Sequence, residues 1–309
     1  MPTLAKGEVL VRNVYLSLDP AAWGWMQEWV TYVPALAIGD VMHGITLGVV
    51  EESSNARFNP GDLVYGLLGW EDFTVTHGKG LMKLPKDPSI PLPAYLSVFG
   101  LTGLTAYFGL LDIGKPKAGE TLVVSAAAGA VGSIVGQIGK IKGCRVVGTA
   151  GTDEKCLWLT EEIGFDAAIN YKTEKLRKSL MKHCPDGIDI YFENVGGPLL
   201  DAVLTLINLR ARIVLCGMIS QYSTSGISSG PSLASIIPKR VRIEGFIVTD
   251  YFNRAREAIV DLQKWIAEDR LQYKVDIVEG LENAPKAIGK LFDGTNKGKL
   301  MVNVSGEPQ

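Results

Sequence analysis

The segment TLVVSAAAGAVGSIVGQIG (121–139) carries the residues whose spacing most plainly suits a chemical task. An apolar strand ends at Ser125, glycines follow at Gly129 and Gly132, and helical periodicity then begins. This is the spacing of a dinucleotide-binding loop with Ala127 in place of its first glycine. Gly129 lets the backbone approach a pyrophosphate, and Gly132 permits close helix–strand contact. The helix N-terminus presents unpaired N–H groups and a partial positive charge. Gly-rich first loops also serve methyltransferases, and two glycines can serve packing alone, so the cofactor turns on a second feature. The next strand, in RVVGTAGTDEK (145–155), ends without the carboxylate that would hold a ribose 2′-hydroxyl, and Lys155 follows. A cation in place of an acid suits a 2′-phosphate and favours NADP(H). The competing reading makes Lys155 a solvated first-turn residue beside Asp153 and Glu154.

Metal chemistry has few donors to draw on. The histidines are His43, His77 and His183, no cysteine precedes Cys144, and MHGITLGVV (42–50) has Ile45 where a ligand pattern would need a donor. No catalytic zinc is expected, and hydride transfer would proceed without a metal Lewis acid. A developing oxyanion then needs another partner. Tyr222 in LCGMISQY (215–222) and Tyr251 in GFIVTDY (245–251) each follow a strand-like run. Loops after strand C-termini are where open α/β sheets bind ligands. A phenol there can donate a hydrogen bond or a proton to an enolate. Either tyrosine could equally pack its ring and leave its hydroxyl in water.

The elements that must position these residues fall into two textures. From Thr121 onward, apolar strands alternate with helical segments. The strands are TLVVS (121–125), RVVGT (145–149), AAIN (167–170), IDIYFEN (188–194), RIVLCG (212–217) and RIEGFIV (242–248). The helices are expected over 131–142, 153–163, 173–183 and 198–207. That alternation predicts βαβ units and a parallel sheet covered on both faces. The first 90 or so residues are instead short strands with turn chemistry between them, such as EVLVRNVY (8–15) and the turn Asn59-Pro60-Gly61-Asp62. PKDPSIPLP (85–93) marks a boundary. Ile259, Leu262, Trp265 and Ile266 form one helical face, and Leu300, Val302 and Val304 return to strand alternation. A β-rich unit over 1–92 and 270–309 is therefore expected to be interrupted by a doubly wound unit over 93–269.

The 309 residues contain 31 Lys and Arg against 33 Asp and Glu, so there is no basic field of the kind nucleic-acid binding uses. At 47% hydrophobic and 21% charged, the chain has ample material for a core. Cys144, Cys156, Cys184 and Cys216 lie far apart without a C-x-x-C spacing, as expected of reduced thiols in a cytoplasmic protein. MPTLAKGEVLVRN has no leader pattern. The apolar run 122–139 is broken by Ser125, Ser133, Gln137 and glycines, so no membrane partner is expected.

Further segments add specificity: VYLSLDP (14–20), GLTAYFGLLDIG (103–114), AAAGAVGSIVGQIGKIKGCRVVG (126–148), GTDEKC (151–156), DIYFENVGG (189–197), GLENAP (280–285) and GTNKGK (294–299). Through nearly its whole length the chain resembles the zinc-independent medium-chain reductases. Among them it is most similar to the branch of curcumin reductase, prostaglandin reductase (leukotriene hydroxydehydrogenase) and plant alkenal double-bond reductases. The resemblance implies a Rossmann domain inserted in a β-rich, GroES-like catalytic domain. It also implies NADP(H) as cofactor, a homodimer, and reduction of the C=C bond of small-molecule enones and enals. The corresponding cofactor residues would be Gly129, Ala130, Val131 and Gly132 at the pyrophosphate, and Lys155 with Tyr171 at the 2′-phosphate. Asn194, Cys216, Gly217, Ile219, Tyr222, Phe246, Ile247, Val248 and Asn296 would line the remainder. Tyr251 matches the tyrosine that serves the enolate, together with the nicotinamide ribose hydroxyl, whereas Tyr222 mostly borders cofactor. A quinone reductase of the same superfamily and a nucleotide-binding protein without turnover are the alternatives.

Two departures from the family carry expectations of their own. The family has more residues ahead of GEVLVRN, including early strands of the β domain, so an edge strand is expected to be left unpaired. After VYLSL the family reads DP-Tyr-Met-Arg-Gly, whereas this chain has Asp19-Pro20-Ala21-Ala22-Trp23-Gly24-Trp25. Two tryptophans there would alter the mouth of a substrate site.

Overall fold

The computed structural model describes residues 3–27, 33, 35–222, 230 and 233–308. It forms two compact units, Met1–Leu96 with Val275–Gln309, and Ser97–Lys274. The chain crosses between them at 96/97 and 274/275, against the expected 92/93 and 269/270.

The first unit is a mixed sheet. Its strands are β1 (Val9–Ser17), β2 (His43–Ser53), β3 (Leu63–Gly69), β4 (Phe73–Thr76), β5 (Met82–Lys83), β12 (Val275–Glu279) and β13 (Lys299–Asn303). They run in the order β12-β13-β1-β2-β3-β5, with β4 also paired to β1. β1 lies inside the sheet, and β12 and β5 end it. β13 covers Tyr15 to Ser17, β4 covers Val9 to Arg12, and β2 runs along nearly the whole length. β1 is central because the C-terminal return pairs along one of its edges.

Leu16 and Leu18 pack with Ala284, Ala287, Leu300 and Val302 into one core cluster. Lys299, only 2% exposed, donates to the Leu18 carbonyl and to Asp19 Oδ1 at 3.0 and 2.6 Å, so its buried charge is paired. Trp25 is buried and Trp23 packs on Phe292 with ring centroids 5.7 Å apart. Both indole rings therefore serve packing within this unit.

The second unit holds six parallel strands: β6 (Thr121–Val124), β7 (Arg145–Ala150), β8 (Ala167–Asn170), β9 (Ile188–Glu193), β10 (Ile207–Leu215) and β11 (Arg242–Gly245). Their order, β11-β10-β9-β6-β7-β8, is the doubly wound Rossmann arrangement, and its direction reverses between β6 and β9. Leu122, Val123, Val124, Ile190, Tyr191 and Phe192 are fully buried, as strands covered on both faces require. The helix expected over 153–163 is α-helical only through Leu157 and continues as a π-helix over Trp158–Glu162. The helix expected from Thr173 starts at Leu176. Among the described residues no helix is long and apolar enough to cross a membrane. Cys144 and Cys184 are buried, Cys156 and Cys216 are partly exposed, and all four are unbridged.

Candidate functional site

The pyrophosphate loop is shaped by its backbone. After β6, Ala126 adopts φ +46°, an unusual left-handed conformation for a residue with a Cβ. The turn is pinned by Ala127 N–H to the Thr149 carbonyl at 2.9 Å and by Gly129 N–H to the Ala126 carbonyl at 2.9 Å. Gly129 then caps the Ala130–Ile141 helix without any side-chain bond to the first-turn amides. Those amides lie at the positive end of a three-turn dipole. A Cβ on Gly132 would sit 2.5 Å from the Ala126 carbonyl oxygen and 2.8 Å from Ala127 Cα, so no larger residue fits. The loop residues fit a dinucleotide pyrophosphate.

At the end of β7 there is no carboxylate. Gly151 follows, and Thr152 Oγ1 accepts the Lys155 N–H at 3.3 Å, capping the Asp153–Leu157 helix. Lys155 is 8% exposed, a cation drawn into the protein and not a solvated first-turn residue. Asn170 Nδ2 donates to Asp153 Oδ1 at 2.6 Å, tying the end of β8 to the start of that helix and engaging the nearby acid. The Tyr171 hydroxyl and the Lys172 Cε lie 3.0 and 3.2 Å from where a Cβ of Gly151 would be. Tyr171 thus stands over the glycine that takes the acid's place. Lys172 is a second cation there, one that the sequence reading missed because only the packing of β8 against β7 brings it near.

At the switch point, Ser125 and Asn194 join β6 to β9. Asn194 donates its backbone N–H to Ser125 Oγ at 2.7 Å and its side-chain Nδ2 to the Ser125 carbonyl at 2.8 Å. Behind them lies Glu193, fully buried and absent from the sequence reading. Its Oε1 accepts from Ser125 Oγ at 2.9 Å, Tyr191 Oη at 2.9 Å and Val195 N at 2.7 Å, while Oε2 has no partner among the described residues. Burial, and next the Glu193 charge, push the Tyr191 phenol well above its ordinary range.

The loop after β10 packs on this corner. Cys216 and Gly217 donate their N–H groups to the Glu193 carbonyl, and Ile219 donates to that of Asn194. The Cys216 sulfur is desolvated, which with the Glu193 charge moves its thiol up to about 12 and keeps it protonated and inert. Tyr222 turns back on its own loop. Its hydroxyl accepts the Met218 N–H at 3.2 Å and lies 3.2 Å from the Cβ position of Gly217.

Tyr251 sits differently. It lies on a 3₁₀ helix, Val248–Arg254, that starts directly after Phe246 and Ile247, the two residues following the end of β11. Its ring stacks on Phe108 with centroids 4.8 Å apart at 17°, and meets Phe246 edge-on at 6.3 Å and 79°. No hydrogen bond of its hydroxyl is found among the described residues. Burial first, then the charges of Asp112, Glu244 and Asp250, raise its phenol above the ordinary value, opposed by Arg254. The hydroxyl is therefore a neutral donor at physiological pH. Tyr251 and the dinucleotide residues from Gly129 to Val248 all belong to the Ser97–Lys274 unit. Asn296 belongs to the other, where it is buried and donates to the Gly298 carbonyl at 3.1 Å.

Two family models match the chain. One described as the N-terminal domain of oxidoreductase covers residues 1–84, and one described as zinc-binding dehydrogenase covers 130–265. Among the described residues no three His, Cys, Asp or Glu side chains come together as a metal site would require. The chain is 47% identical to the NADPH-dependent curcumin reductase of Escherichia coli K12, over 99% of this chain and 90% of that protein. It is 46% identical to prostaglandin reductase 1 of Rattus norvegicus, over 98% and 91%. The crystal structure of CurA from Vibrio vulnificus in complex with NADPH superposes with a TM-score of 0.94 at 47% identity, covering 99% of this chain and 93% of that one. Identity at that level along the whole chain, a doubly wound parallel sheet and a second, β-rich unit lead to one conclusion. The chain belongs to the curcumin reductase and prostaglandin reductase family of zinc-independent medium-chain reductases.

Proposed function

We propose that this protein reduces the C=C bond of α,β-unsaturated ketones and aldehydes with NADPH, and that Tyr251 is the residue that serves the carbonyl oxygen. The observation that carries the reading is the phenol of Tyr251. It is neutral, fixed on two aromatic rings, and placed in the same unit as a dinucleotide cradle whose ribose-binding acid is missing. Bound NADPH supplies a hydride to the β-carbon of the substrate. The amides of Gly129, Ala130, Val131 and Gly132 hold the pyrophosphate, and Lys155, Tyr171 and Lys172 hold the 2′-phosphate. Asn194, Cys216, Gly217, Ile219, Phe246, Ile247 and Val248 line the remainder within the same unit. Tyr222 borders the cofactor on its own loop, where its hydroxyl accepts the Met218 N–H and keeps its proton for donation. Tyr251 donates a hydrogen bond to the carbonyl oxygen as negative charge collects on it, and a solvent proton completes the α-carbon.

A donor of this kind is worth about 2.7–4 kcal/mol in the transition state. Tyr251→Phe is therefore expected to lower kcat on an enone by roughly 100- to 1,000-fold while NADPH still binds. The decisive assay follows NADPH and NADH oxidation across enals, cyclic enones, curcumin-like diketones and quinones, with product identification. A saturated ketone formed preferentially with NADPH supports the proposal. Turnover of quinones alone would make the protein a quinone reductase, and NADPH binding without any turnover would make it a binding protein.

The same reading includes a homodimer. β11 ends the six-stranded sheet with one edge unpaired among the described residues, which suits a strand from a second copy. Light scattering giving the mass of one chain would exclude it.

A further inference from the structure

Tyr251 sits on a 3₁₀ helix, and the ordering of its ring has to come from neighbours. Phe108, fully buried, ends the Leu101–Phe108 helix where the chain widens into a π-helix over Gly109–Gly114. It presents its ring to Tyr251 at 4.8 Å. The Arg254 guanidinium also lies against the Phe108 ring, with Cζ 5.0 Å from the centroid. Each of its three nitrogens is bonded to a carboxylate: Nη1 and Nη2 to Asp112 on the π-helix, and Nε and Nη2 to Glu257 at 3.0 and 2.9 Å. A forked guanidinium held by two carboxylates is ordered, not a roaming surface charge. Gly109 completes the arrangement. A Cβ there would meet Phe246 Cζ at 2.6 Å and Phe192 Cε2 at 2.9 Å, so glycine admits the ring that contacts Tyr251 edge-on. Tyr107 anchors the same helix end by donating to Asp261 Oδ2 at 2.6 Å.

We infer that Phe108 and Arg254 are positioning residues for Tyr251, with the Asp112–Arg254 pair clamping the Phe108 ring on which the phenol is stacked. The inference rests on the reading of Tyr251 as the carbonyl donor. Arg254 makes no hydrogen bond to the phenol: its guanidinium nitrogens are bonded to Asp112 and Glu257 and its plane lies against Phe108, so its contact with Tyr251 is made through that ring. Misplacing a reacting group by about 1 Å can cost on the order of 100-fold in rate, so a loosened ring is costly even when the hydroxyl is still present.

The test compares Arg254→Met, Arg254→Lys and Asp112→Asn in the wild-type and Tyr251→Phe backgrounds. It reads kcat, KM for the enone, NADPH affinity by fluorescence, and the tyrosine band of the near-UV circular dichroism without ligand. Arg254→Met is expected to lower kcat about 10-fold or more. KM and NADPH affinity should stay within about twofold, and the tyrosine band should weaken. Arg254→Lys should recover part of the loss, since it keeps a cation over the ring. Asp112→Asn should reproduce the loss in smaller measure, and it serves if the Met variant folds poorly. In the Tyr251→Phe background none of the three should lower kcat further. Additive losses there would overturn the inference, as would an unchanged kcat in both Arg254→Met and Asp112→Asn, or a loss confined to NADPH affinity. An unchanged kcat in Tyr251→Phe alone would instead remove the donor reading beneath it.

Discussion

A phenol serves as a hydrogen-bond donor only while it keeps its proton. Tyr251 keeps it to higher pH than an exposed tyrosine, because burial and the charges of Asp112, Glu244 and Asp250 together outweigh the opposing Arg254. The sign of the pH effect follows. On the proposed role of Tyr251 the neutral form is the active one, and its pKa lies above the ordinary value of about 10. The kcat of enone reduction should therefore show no Tyr251-dependent fall from neutral pH up to about 10. Any fall above that should be absent from the residual activity of Tyr251→Phe. An alkaline limb near pH 8 that vanishes in Tyr251→Phe would contradict this placement. At this scale the legible residues were those whose chemistry is local in the chain. Gly129 and Gly132 are three apart, and Lys155 follows β7 at once. Lys172 and Glu193 were illegible for the opposite reason. Lys172 reaches Gly151 through strand packing, and Glu193 meets Ser125 across 68 residues of chain.

At the scale of elements, the corner where β6 and β9 part is held by one carboxylate. Glu193 Oε1 receives two hydroxyls and one amide, all of them out of contact with water or nearly so. Glu193→Ala would leave Ser125, Tyr191 and Val195 short of a partner. An unsatisfied buried group costs about 1–3 kcal/mol, so denaturant unfolding should show a loss of at least about 2 kcal/mol. Asn194 and the loop after β10 hang from the same corner, and NADPH should bind more weakly as well. Glu193→Gln keeps an accepting oxygen at that position and should lose less than half as much. Equal losses in the two variants would mean that the charge, not the bonding pattern, matters. Element types in this unit were readable because a strand buried on both faces shows as a short apolar run, as in LVV (122–124) and IYF (190–192). The π-helical turns at 109–114 and 158–162 were not readable, since nothing in their periodicity separates them from α-helix.

For the whole molecule, the order in which the chain builds its two units has an energetic consequence. All six strands of the Rossmann sheet lie between Thr121 and Gly245, whereas the first unit needs both chain ends. β1 pairs Tyr15 with Asn303, and Leu16 and Leu18 pack on Leu300 and Val302. Local alternation could identify β1 as a strand but not its neighbour, because that neighbour lies almost 300 residues away. Removing residues 299–309 takes away β13 with Leu300, Met301 and Val302, each no more than 1% exposed, and leaves Asp19 without Lys299. Burying a side chain of that size contributes about 1.5–3 kcal/mol, so three of them rival the 5–15 kcal/mol by which a domain is stable. The truncated chain should therefore lose its first unit while the second remains folded. Calorimetry should show the transition of the second unit surviving, and NADPH affinity should fall by no more than about tenfold, or 1.4 kcal/mol. Loss of both transitions together would show that the Rossmann sheet depends on the β-rich unit for its stability, despite having all its strands in one continuous stretch of chain.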